Sequence, residues 1–424
     1  GSDSKQVDIT VTAINDAPVA TITPAFYSAT EQVVLSLKNN GLSVSDVDAG
    51  SGQVTVTLSV GEGTLTVTAG TSGALVSGSG SPSVTVSGTV AQINALLNTD
   101  GSSAVSYIDN TDTPGASTTL TLSVDDNGNS GGGGSLIASD TATINITAVN
   151  DAPVIDLLTL AGVQTSATTA SFTESGGVVT VVPQLTLADV DSPTLAGATV
   201  TLTDAQNGDV LSLLGQAGTS GTLAGGIDFA ISGMTVTFSN VSSVANYQAA
   251  LQLVQFNNTV VAPDTTDRTF SIQVDDGAGA NNLTNATATL TVGSVNHAPQ
   301  VTVPGNSVAV NEDGSVPLTG ATVTDVDSAD ILTVTVSVGL QGTLTSLATQ
   351  SELNQLTSAT GDGTNLITIS GSVSAVNAVV AAGVTYAPVA NYNGPDQLVL
   401  SVADNHGGSD SKQVDITVTA INDA

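Results

Sequence analysis

The sequence predicts an all-β chain: three β-sandwich domains in series, each with one short helical turn. Three observations carry this. Short runs alternate apolar residues with Thr or Ser, as at Val54, Val56, Leu58 and Val60, the period-two pattern of a strand with one buried face. Ala13-Ile14-Asn15-Asp16-Ala17-Pro18 recurs as Ala148-Val149-Asn150-Asp151-Ala152-Pro153 and Ser294-Val295-Asn296-His297-Ala298-Pro299, and again as Ala420-Ile421-Asn422-Asp423-Ala424. Its proline stops a strand, and repetition at this spacing marks an array. The chain is 40% hydrophobic with only 3% aromatics; Val, Ile, Leu and Ala set among Thr, Ser and Gly favour sheet over helix and are too apolar for disorder.

The order of elements follows. Residues 1–17 are expected to be the last strand and linker of a preceding repeat. Gly1–Ala17 is identical to Gly408–Ala424, as if the chain were one period of a longer array. Val7, Ile9 and Val11 then form an orphan strand, expected to be disordered or paired with a neighbour. The first domain spans 18–150, with strands at Val19–Thr23, Val33–Leu37, Val54–Val60, Leu65–Thr68, Val84–Ser87, Leu120–Val124 and Thr141–Ala148. Thr89–Leu97 has helical spacing, and the glycine-rich Asn129–Ser135 reads as a flexible loop. The second domain, 151–296, places its helical turn at Val241–Leu251. The third, 297–424, places it at Val373–Val380. After each turn comes a strand with one aromatic (Tyr107, Phe256, Tyr386), expected to anchor the core.

Charge narrows the function. Four Lys+Arg against 37 Asp+Glu give a formal charge of -33. Such a surface cannot neutralise phosphates, which excludes nucleic acid as a partner, and anionic membranes repel it. No apolar run is long enough for direct membrane insertion. Divalent cations would relieve the self-repulsion. Only five acids are glutamates, and the shorter aspartates suit turns and cation loops. There is no cysteine, so disulfides and thiolate chemistry are absent.

The acids recur at matched places. A glutamate comes early in each domain: Glu31, Glu174, Glu312. Asp-Val-Asp follows at Asp46/Asp48, Asp189/Asp191 and Asp325/Asp327. An Asp-Gly-type turn closes each domain: Asp125-Asp126-Asn127-Gly128, Asp275-Asp276-Gly277 and Asp404-Asn405-His406-Gly407. Residues i and i+2 of an extended chain share a face, so Asp-Val-Asp aims two carboxylates at one point, where they repel unless a cation lies between them. Asn-Asp in the linker offers oxygen for the same hard-cation chemistry. Scattered acids such as Asp100, Asp204 and Asp362 suit turns and solubility instead.

Over essentially its whole length, the chain resembles the cadherin-like tandem repeats of giant bacterial surface adhesins, the extender repeats of RTX-type adhesins. The resemblance rests on the Asn-Asp-x-Pro linker, Asp-x-Asp and the terminal Asp-Gly turn. It implies cadherin-like or immunoglobulin-like sandwiches in a linear rod, with calcium held between successive domains. The implied ligands are Asn15 and Asp16 with Asp46, Asp48 and Asp125 or Asp126. At the next junction, Asn150 and Asp151 join Asp189, Asp191, Asp275 and Asp276, with Glu31 from the domain before. Asn296 joins Asp325, Asp327 and Asp404, with Glu174 behind it. Glu312 serves the junction after Asn422 and Asp423.

Two departures stand out. His297 replaces the linker aspartate, and neutral imidazole is a poor calcium ligand, so that junction is expected to bind fewer ions or bind them more weakly. The Asp-Arg-Glu-type ligand run of cadherins has no clear counterpart; Asp109 and Asp112, or Asp264 and Asp267, are candidates for its place.

No catalytic constellation emerges. His297 and His406 are the only histidines, neither beside a nucleophile pattern. Carboxylate pairs could suggest a glycosidase, but they repeat once per domain, as structural sites do. The expectation is a non-enzymatic, calcium-binding stalk on the extracellular bacterial cell surface, supporting adhesion, with adjacent repeats of the same polypeptide as partners. Two alternatives stay open. One is a subunit of a self-assembling filament or sheath with homotypic lateral contacts. The other is a glycan- or protein-binding module using Thr111–Ala116 or Gly131–Gly134.

Overall fold

The structure is a computed structural model and describes residues 2–129, 131–158, 160, 162–327 and 329–422. Apolar residues gather in three separate cores: one between Ile22 and Ile146, a second between Ile155 and Val292, a third between Val301 and Val418. Around each core the strands form sandwich-like stacks, so the chain is a tandem of all-β domains.

In the first, the large sheet has the order Leu75–Ser77, Ser83–Thr89, Gln53–Val60, Ser117–Asp125, Ile137–Thr147, Phe26–Thr30. All neighbours are antiparallel except the final pair, Phe26–Thr30 on Ile137–Thr147, which is parallel. Leu35–Ser36, Ala104–Ile108 and Thr64–Thr68 make the facing sheet, and Val19–Ile22 pairs with Leu42–Ser45. The second and third units repeat this plan, including the parallel pair of Ser166–Thr173 with Leu283–Gly293 and of Ser307–Asn311 with Ser409–Thr419. Alternation explains the layering: Val54, Val56, Leu58 and Val60 are buried while Thr55, Thr57 and Ser59 between them are half-buried.

The helical turns follow their caps. Thr89 Oγ1 accepts the Gln92 N–H at 3.2 Å and Gln92 Oε1 accepts the Thr89 N–H at 2.9 Å, a capping box that starts the helix Val90–Asn94. It continues as a π-helical turn, Ala95–Thr99. The second turn is shorter than its pattern: Val241 and Ser242 remain in the strand Thr235–Ser243, because the Ser243 side chain caps the helix Val244–Leu251. The third, Val373–Ala382, ends at Gly383. Tyr107, Phe256 and Tyr386 are buried as expected, Phe256 meeting Phe172 and Phe270 edge to face at 5.4 and 6.1 Å.

Two features differ from the sequence expectation, and a third lay outside it. Val7, Ile9 and Val11 belong to no strand and lie exposed; Ile9 is 84% exposed whereas Ile416, its twin in the repeated segment, is 1% exposed within Ser409–Thr419. What separates the two is a sheet to enter. The glycine-rich loop is docked, not free: Gly132 exchanges backbone hydrogen bonds with Ala13 (3.1 Å) and Asn15 (3.3 Å). A Cβ on Gly131 would stand 2.5 Å from the Asn15 nitrogen, so only glycine permits this approach. Finally, Arg268 is wholly buried, its Nε 2.7 Å from Asp209 Oδ2. The alternation that puts Arg268 on one face with Phe270, Ile272 and Val274 is the sequence signal for its inward position.

Candidate metal centre

Each Asp-Val-Asp begins immediately after the strand that pairs with the first strand of its unit: after Leu42–Ser45, Thr186–Ala188 and Thr322–Thr324. The chain leaves the sheet there, and the first carboxylate folds back on its own backbone. Asp46 Oδ1 accepts from Asp48 N–H and Ala49 N–H, both at 3.1 Å; Asp189 Oδ1 from Asp191 (3.3 Å) and Ser192 (2.8 Å); Asp325 Oδ1 from Asp327 (3.0 Å). The second carboxylate reaches the linker. Asp48 Oδ2 accepts the Asp16 N–H at 2.9 Å, Asp191 Oδ2 that of Asp151 at 3.2 Å, and Asp327 Oδ2 that of His297 at 2.6 Å.

The terminal turn grips the linker asparagine. Asn15 Nδ2 donates to Asp126 Oδ2 at 2.6 Å, Asn150 Nδ2 to Asp276 Oδ2 at 2.8 Å, and Asn296 Nδ2 to Asp404 Oδ2 at 3.0 Å. In the two Asp-Asp turns it is thus the second aspartate that reaches the linker. Asp125 and Asp275 instead accept from Asn127 N–H and Gly277 N–H inside their own turns. The early glutamate holds the linker from the other side: Glu31, Glu174 and Glu312 accept the backbone N–H of Val149 (2.8 Å), Val295 (3.1 Å) and Ile421 (2.8 Å). Asn422 is described, whereas Asp423 lies outside the described residues.

These bonds use one oxygen of six carboxylates and leave the other buried without a partner: Glu31 Oε1, Asp46 Oδ2, Asp48 Oδ1, Asp189 Oδ2, Asp191 Oδ1 and Asp325 Oδ2; Asp151 Oδ2 and Asn15 Oδ1 are buried and unpartnered as well. Buried polar atoms are rarely left this way. Glu31, Asp112 and Asp151 each offer one oxygen, and these lie within 4.8 Å of one another. Oxygens across a calcium ion, bound at 2.3–2.6 Å each, stand up to ~5 Å apart. The donor set therefore fits a hard divalent cation in size, charge and element. Asp112 joins the group as a loop residue outside every recurrent motif; its partner in the candidate pair, Asp109, instead closes its own loop on Thr111.

Electrostatics agree. Burial pushes the Asp151 carboxyl up, helped by the charges of Asp112, Glu31 and Asp191. Burial likewise raises Asp46, Asp189 and Asp325. Burial also opposes ionising Asp126 and Asp404, but N–H donors of the terminal turns and the linker asparagine hold both below the ordinary carboxylate range. Each site thus pairs fixed anions with strained ones, an arrangement a cation would relieve.

The His297 junction is built differently. Glu174 Oε1 accepts the Ala262 N–H at 3.0 Å and lies 3.2 Å from His297 Nε2, while His297 Nδ1 is 3.5 Å from Asp327. The imidazole occupies the side of Glu174 that Asp151 takes beside Glu31, and among the described residues no acidic triad includes Glu174. Asp327 remains grouped with Asp325 and the buried Asp330, again within 4.8 Å. Asp330, held by His406 Nδ1 at 3.0 Å, was not among the sequence candidates; the run Asp325-Val326-Asp327-Ser328-Ala329-Asp330 is its only signal. Asp264 and Asp267 enter neither acidic group. Asp100 accepts the N–H of Ser102 inside its own turn, whereas Asp204 and Asp362 accept those of Thr269 and Ser346, 65 and 16 residues away.

No family model and no curated protein matches the chain. Among solved structures, mouse cadherin-23 EC22-24 is 15% identical, covering 96% of this chain and 100% of that one, with a TM-score of 0.35. The protocadherin gamma B4 extracellular domain is 14% identical over 96% of this chain, TM-score 0.38; the match spans about half (52%) of that structure. Protocadherin gamma C5 EC1-3 is 13% identical over 93% of this chain and 100% of its own, TM-score 0.32. Among the described residues no helix is long and apolar enough to cross a membrane.

Proposed function

We propose that the chain is a non-enzymatic extracellular stalk segment in which calcium stiffens the junctions between successive sandwiches, carrying an adhesive function on a bacterial surface. The observation that carries this reading is the group Glu31, Asp112 and Asp151, with Glu31 only 1% exposed and Oε1 unpartnered. Two of these residues belong to one sandwich and the third to the linker that opens the next. A cation held there ties the linker to the domain before it, while Asp189 and Asp191 tie the same linker to the domain after it. Without a cation the carboxylates repel and the linker is free to bend. With one, bending costs ligand bonds.

Millimolar calcium should raise the melting temperature and lengthen the particle in small-angle scattering, with a chelator reversing both. Indifference of both measurements would remove the proposal.

A further inference from the structure

The third sandwich is under-filled. A cavity of about 310 Å³ opens between its sheets, floored by Val336, Ile367 and Leu398 and bounded by Val303, Val308 and Ala321. Strand register shows where the volume went. Val308 lies opposite Ile416 on the parallel neighbour, the place Tyr27 holds opposite Ile144 in the first sandwich. There Tyr27 is buried and donates its hydroxyl to the Asn40 carbonyl at 2.8 Å. Ile22 pairs with Leu42 in the first sandwich, whereas the third places Val303 and Ala321 just beyond its Thr302–Thr322 pair. Three positions are thus smaller at once. The stretch from the early glutamate to the glycine just before the strand that leads into Asp-Val-Asp, which carries Asn40 in the first sandwich, is also two residues shorter from Glu312 to Gly320 than from Glu31 to Gly41.

We infer that this cavity is a binding site for one small, neutral, ring-bearing apolar molecule. Native interiors are close-packed, and an apolar cavity of about 150 Å³ already holds a benzene ring; this one has room for two fused rings. The ring is the shape the first sandwich supplies from its own chain through Tyr27. Neutrality follows from the walls. No charged residue lines the cavity, and with four cations against 37 acids an anionic ligand meets no counter-charge. The hydroxyls of Ser307 and Thr319 at the margin can take one polar substituent such as a phenolic OH. The site is independent of the acidic junctions, so its fate and theirs are separable.

The test is a fluorescence titration of the full chain with 1-naphthol, a neutral probe of two fused rings and one phenolic OH, alongside melting of two cavity-filling variants, Val308→Tyr and Ala321→Leu. Expected is saturable binding at one site per chain, weakened by about tenfold or more in each filled variant, with no fall in melting temperature. Absence of saturable binding, or binding retained in a filled variant, overturns the inference. So does failure of both variants to fold, because the space would then not accept a side chain.

Discussion

His297 Nε2 lies 3.2 Å from Glu174 Oε1, where at the preceding junction Glu31 Oε1 faces carboxylates and has no partner. One substitution in the linker therefore changes what the glutamate of the previous sandwich meets. The junctions are chemically unequal.

Replacing His297 by Asp removes the imidazole contact and sets a carboxylate against Glu174. Without metal the His297 junction should loosen; with calcium it should tighten more than in the parent chain. Hydrogen exchange at Val295 and His297 amides, with and without calcium, reads this directly. A variant with no gain in calcium response would show that the junction lacks room for an ion.

At Glu31, substitution by Gln should act in opposite directions in the two states. Metal-free, it removes a buried charge from an acidic group and should raise the melting temperature. With calcium it deletes a ligand and should shrink the calcium-induced gain, which for one site at 100 times its Kd is about 2.7 kcal/mol. Paired calorimetric melts check it, and equal shifts in both states would contradict the assignment.

Arg268→Met leaves Asp209 buried without its cation. Removing one partner of a buried pair costs about 3–5 kcal/mol, so the second sandwich should melt well below the other two. Asn258 also donates to Asp209 at 2.8 Å, which sets the loss toward the lower end. Coincident melting of all three units would show the pair to be dispensable.

Burial raises the hydroxyls of Tyr27 and Tyr247 from 10.0 to about 12. The folded state keeps each proton after the unfolded chain has lost it, so their stabilisation is complete below pH 10 and drains away as pH rises toward about 12. Melting temperature should fall across that window, and tyrosinate absorbance should lag behind that of a denatured control. Tyr27→Phe should flatten the slope for the first sandwich only.

Much of the fold was legible because sheet alternation is a local signal: Val54 to Val60 and Leu120 to Val124 lie within strands at their expected places. Short strands such as Phe26–Thr30 and Leu75–Ser77 were missed because each shows too few alternations to register. The repeated acids were legible because repetition separates a motif from background aspartate. Asp112 entered only as one of four alternatives for a missing ligand run and Asp330 not at all, since each occurs once and only the fold brings it to its group. The docking of Gly132 against Ala13 and Asn15 likewise depends on a backbone approach across more than a hundred residues, which composition alone reads as slack.

The parallel pair that closes every large sheet has a mechanical consequence. Phe26–Thr30 enters near the start of the first sandwich, and Ile137–Thr147 leaves at its end, side by side in the same direction. Tension on the two termini of the unit pulls these strands past each other lengthwise. All the hydrogen bonds between them are then loaded together, rather than parting one at a time as they would in a hairpin drawn open from its ends. Each sandwich is accordingly a shear clamp in line with the backbone, and single-molecule extension should record three high-force rupture events of comparable size.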